Sequence, residues 1–100
     1  MAENYIDYDV VMNASKTYSS QAEALANVVQ TLTSTNAEMQ AGFRNETSNA
    51  FIERYESEYK VALEKAGEAL QSISEFLTTY VNNRMKEDGG TAINIAGHIL

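Results

Sequence analysis

Gly42-Phe43-Arg44-Asn45-Glu46-Thr47-Ser48-Asn49-Ala50-Phe51 separates two long stretches that share one kind of apolar spacing. Gly42 is a natural helix stop, because a residue without a Cβ adopts left-handed backbone at no steric cost. Asn45, Thr47 and Ser48 are each suited to start another helix by accepting a hydrogen bond from a free backbone N–H. Glu46 sets a negative charge near the positive end of that second helix. The stretch therefore reads as a reversal, and the chain as all-α: an antiparallel two-helix hairpin.

Working outward, the preceding stretch repeats every seven residues at Val11, Tyr18, Leu25, Leu32 and Met39. A second seam of Ala14, Gln21, Val28 and Thr35 runs beside it, widened by Ala22 and Val29. Such spacing marks one face of a helix and favours bundle-type packing. Asp7 and Asp9 are alternative N-caps for this helix. The following stretch carries Phe51, Tyr55, Tyr59, Ala62, Ala66, Leu70, Ile73, Leu77 and Tyr80 at steps of three or four. Leu63, Ala69 and Phe76 widen that stripe. Glu56 and Lys60 are spaced for an ion pair on its exposed face. The spacing predicts an N-terminal lead-in over 1–8 and a hairpin over 9–88. Its helices cover about 9–41 and 47–87, with the turn at about 42–46. A flexible tail over 89–100 follows the Gly89-Gly90 pair.

A hairpin this size covers only one face of each helix, and small chains need staples or a partner. With no cysteine and a single histidine among 100 residues, disulfides and a zinc site are excluded. A partner chain is the remaining expectation. It would be held by Tyr18, Leu25, Val29, Leu32 and Met39 on the first helix. On the second, Tyr55, Tyr59, Ala62, Ala66, Leu70, Ile73 and Leu77 would meet it. The formal net charge of −7 argues against nucleic acid and anionic membranes. No segment is apolar and long enough for a membrane span, and the acidic start is no Sec-type signal. Nothing supports catalysis. There is no phosphate-binding glycine loop and no thiol nucleophile, and Glu53, Glu56 and Glu58 read as a solvated helix face. No cofactor and no metal is expected.

This layout resembles the WXG (Esx-like) proteins of bacterial type VII secretion, whose turn reads Trp-x-Gly, with a small residue and an aromatic following on the second helix. Matching Ala50 and Phe51 to that pair sets Phe43 at the Trp and Asn45 at the Gly, so the turn motif is Phe43, Asn45, Ala50 and Phe51. Asn tolerates left-handed backbone better than most residues, which suits it to the glycine position. The resemblance implies a dimeric four-helix bundle formed by two hairpins, and a non-enzymatic protein exported by a Sec-independent type VII route after a cytoplasmic stage. Its partners would be a second hairpin (homodimer or heterodimer), the secretion machinery and a larger toxin. The family's export signal, Tyr-x-x-x-Asp/Glu, corresponds to Asn83-Arg84-Met85-Lys86-Glu87, which keeps the acid at Glu87 and carries Asn83 in place of Tyr. The alternatives are a cytosolic targeting chaperone for a type VII toxin and a structural coiled coil unconnected with secretion.

Overall fold

A computed structural model describes residues 5–87. The stop at Asp88-Gly89-Gly90, the expected flexible tail over 89–100 and the first four residues of the lead-in lie outside the described residues. Those described are helical from Tyr8 onward, apart from the short turn, with no strand. Helix α1 spans Tyr8–Gly42, α2 spans Glu46–Arg54, a π-helical turn spans Tyr55–Tyr59, and α3 spans Lys60–Glu87. The second arm is thus continuous over 46–87, and the chain is an antiparallel helical hairpin.

Local chemistry settles the helix ends. Asp7 starts α1: its Oδ1 accepts from the backbone N–H of Asp9 at 3.1 Å and of Val10 at 3.2 Å. Of the alternatives for the second arm, Asn45 is the cap. Its Oδ1 accepts from the Ser48 N–H at 3.0 Å, while Ser48 Oγ accepts from the Asn45 N–H at 3.3 Å. This reciprocal capping box satisfies two otherwise free donors. Asn45 is extended, with φ −162° and ψ −178°, so its value at the turn is the cap and not left-handed backbone. Gly42 departs from expectation too. It is the last residue of α1, outside the left-handed range, with nothing within 4 Å of where a Cβ would stand.

The structure divides into two compact units, each an antiparallel helix pair. In the unit Ala22–Ala69, α1 contributes Ala22, Val29 and Thr33, and the second arm contributes Ser48, Ile52, Tyr55, Leu63 and Gly67. Tyr55 is only 4% exposed, and its hydroxyl donates to the Val29 carbonyl at 3.3 Å and lies 3.4 Å from Thr33 Oγ1. Burying so large a ring is favourable once its polar end is satisfied.

The other unit, built from the outer stretches of both arms, centres on hydroxyls. Ser15 Oγ donates to the Ser74 carbonyl and Ser74 Oγ to the Ser15 carbonyl, both at 2.9 Å. Thr78 Oγ1 lies 2.8 Å from Ser15 Oγ, and Ser19 Oγ donates to Gln71 Oε1 at 3.3 Å. Ser15 and Ser74 each bond the opposite backbone directly, which only a short side chain permits. Val81 is fully buried in the same unit.

Two substitutions test this packing, with urea unfolding measured at one fixed protein concentration. Ser74→Ala should cost about 1 kcal/mol through lost hydrogen bonds. Ser74→Leu should cost more, about 1–3 kcal/mol, because the added carbons meet the facing backbone. An equal effect of both would show that the helices are not closely apposed there. In the other unit, a Cβ on Gly67 would lie 3.8 Å from the Ala22 carbonyl oxygen and 3.9 Å from Leu25 Cβ, ordinary contact distances. Gly67→Ala should therefore raise stability by about 0.5–1 kcal/mol through helix propensity. A loss would mean that the seam needs the glycine.

Candidate interaction surface

Besides Val29, Tyr55 and Val81, the residues buried within the hairpin are serines, and most of the aromatic ones are exposed. Ser15, Ser48 and Ser74 are essentially inaccessible. In the unit Ala22–Ala69, Val28, Leu32, Phe43, Phe51, Tyr59 and Val61 are exposed, Tyr59 at 47%. In the other unit, Val10, Tyr18, Ile73, Phe76 and Tyr80 are exposed, and the Phe76 and Tyr80 rings stack with centroids 6.3 Å apart. Phe76 is 66% exposed, an unusual setting for a phenyl ring in a solitary chain.

The residues expected at a dimer interface divide into three groups. Tyr18, Leu32, Tyr59, Ala62, Ala66 and Ile73 are exposed. Leu25, Met39, Leu70 and Leu77 are half-buried along the edge of the hairpin seam. Val29 and Tyr55 are buried within their own unit, at 8% and 4% exposure. The apolar period did not distinguish Tyr55 from Tyr59, because a one-residue irregularity separates them. Phe76 is the large exposed residue that the narrower reading left out, although its position beside Ile73 and Tyr80 in the apolar pattern marked it.

Of the turn motif, Phe43, Asn45, Ala50 and Phe51 all have substantial exposure. Phe43 sits in the short link between α1 and the capping box and is 38% exposed. At the far end of α3, Asn83 and Glu87 are exposed, and Arg84 Nη1 donates to Glu87 Oε2 at 3.3 Å.

Charge contributes little to this surface. Arg54 Nε donates to Glu58 Oε2 at 2.8 Å and Lys60 Nζ to Glu56 Oε2 at 3.2 Å, the latter being the pair that the sequence spacing predicts. Those hydrogen bonds raise the pKa of Arg54 and of Lys60. Both cations sit in solvent, so the pairs lend only slight support. No group of metal-binding residues occurs among the described residues, and none of their helices is long and apolar enough to cross a membrane. A depression lined by Ala24, Asn27, Val28, Thr31 and Leu32 comes from the surface of α1 alone. Such a surface suits the side chains of another helix better than an enclosed small molecule.

The arrangement thus combines hydroxyl-bonded seams, exposed aromatic and aliphatic residues, and a capped turn beside a phenylalanine. Residues 5–88 match the family WXG100, described as proteins of 100 residues with WXG. Neither curated proteins nor solved structures give a match. Covering most of the sequence and the whole described hairpin, the family match shows that this chain belongs to the WXG100 family of small, non-enzymatic proteins associated with type VII secretion.

Proposed function

We propose that the protein acts as half of a dimeric four-helix bundle, exported as or with that bundle by a type VII system. The second half is another helical hairpin, either a copy of this chain or a related one. The observation that carries this reading is the exposure of Tyr18, Leu32, Tyr59, Ile73, Phe76 and Tyr80 while serines occupy the hairpin seam. Covering a large apolar side chain fully is worth about 1.5–3 kcal/mol, so several together offset the cost of association. Phe43, exposed beside the capped turn, would become an anchor at the end of the bundle.

Light scattering on the purified chain at micromolar concentration should give the mass of two chains. A chain that gains helicity only on adding a related hairpin would point to the heterodimer. A well-folded monomer would overturn the proposal. Phe43→Ala should weaken association by about 1–3 kcal/mol, a loss of about 5-fold to 150-fold, and leave the hairpin helical by circular dichroism.

One observation favours a second reading, that of a cytosolic targeting chaperone for a larger type VII toxin. Asn83 stands where the export signal carries Tyr, and the Glu87 carboxylate is already engaged by Arg84. The two readings separate in a secretion assay. Export of the chain without any partner excludes the chaperone, whereas retention in the cell even with its partner present excludes export of the bundle.

A further inference from the structure

The π turn at Tyr55–Tyr59 absorbs one residue, and that residue decides which of two competing stripes faces α1. Within the unit Ala22–Ala69, Tyr55 meets Val29, and Gly67 lies against Ala22 and Leu25. At about 100° per residue, twelve α-helical steps would leave these two positions about 120° apart around the axis. With one residue taken up by the π turn, eleven effective steps leave them about 20° apart. Both can then face the same neighbour, as they do. Counted on from Ser48, Ile52 and Tyr55, an uninterrupted α-helix would bring Tyr59, Ala62 and Ala66 to the seam. In the structure Leu63 and Gly67 occupy the seam, and Tyr59, Ala62 and Ala66 are exposed.

We infer that the Tyr55–Tyr59 turn is a register device that keeps the Tyr59, Ala62 and Ala66 stripe turned outward for the second hairpin. This rests on the proposed bundle for its purpose, though not for its geometry. The residues around the turn suit the task. Tyr55 is locked inward at its start by burial and a hydroxyl bond. Arg54, just before the turn, pairs with Glu58 inside it, and Lys60, just after, pairs with Glu56 inside it. The Arg54 guanidinium also lies 6.0 Å from the centre of the exposed Tyr59 ring. That contact favours the outward position of the ring.

The absence of native cysteine allows a direct test by disulfide trapping. The 3.9 Å between Leu25 Cβ and a Cβ on Gly67 falls within the disulfide range. Under mild oxidation, the pair Leu25→Cys with Gly67→Cys should form an intramolecular bond, seen at monomer mass on a non-reducing gel. The pair Leu25→Cys with Ala66→Cys should form it at least about tenfold more slowly, since Ala66 is rotated by about 100°. Deleting Ser57 removes the absorbed residue, so the Gly67 pair should still close in a plain α-helix. Faster closure of the Ala66 pair would overturn the inference, as would loss of folding or of the Gly67 bond on deleting Ser57. A monomeric parent chain whose Gly67 pair still closes would instead sink the bundle and leave the register intact.

Discussion

Two helices in contact can bury only one stripe on each, and this chain gives much of that stripe to hydroxyls. The reciprocal bonds between Ser15 and Ser74 satisfy both side chains against the opposite backbone while keeping the seam narrow. A buried hydroxyl is tolerable only when it is bonded, and here the bond is possible because neither side chain is larger. A leucine at either position would bring more apolar area and remove the close approach. Most of the aromatic rings lie outside that seam. The hydroxyl seam and the exposed aromatic flank are two outcomes of one packing choice.

This choice explains which features were legible in the sequence. Helicity and the reversal could be read because Val11, Tyr18, Leu25 and Leu32 keep a seven-residue period up to a glycine followed by capping residues. The seam itself was hidden. Ser15, Ser19, Ser48 and Ser74 carry no apolar signal, and a polar residue on a helix is ordinarily assigned to water. Their spacing was the available clue: Ser15 and Ser19 are four apart on α1, and Ser74 and Thr78 are four apart on α3, all of them small. Small residues at helical spacing can indicate close approach as fairly as leucines indicate a core.

At the turn, the residue that the resemblance sets at the family's glycine works by different physics. A glycine there supplies backbone freedom, and Asn45 was expected to imitate it through left-handed backbone. It is extended and uses its side chain instead, closing a box with Ser48. The carboxamide does at the helix start what an unsubstituted backbone cannot, because glycine has no acceptor to offer the Ser48 N–H. The match with WXG100 over residues 5–88 is therefore compatible with a Phe-x-Asn turn. What the fold shows at this point is a defined start for the second arm.

The π turn was the least visible feature, and the reason is arithmetic. Tyr55, Tyr59, Ala62 and Ala66 are evenly spaced, so counting along the sequence puts them on one face. The structure sends Tyr55 inward and leaves the others outside. Periodicity assumes a constant rotation per residue, and a single π turn breaks that assumption without leaving any unusual composition behind. The regular stripe was a true pattern divided between two surfaces: Tyr55 closes the hairpin, while Tyr59, Ala62 and Ala66 after the break stay exposed.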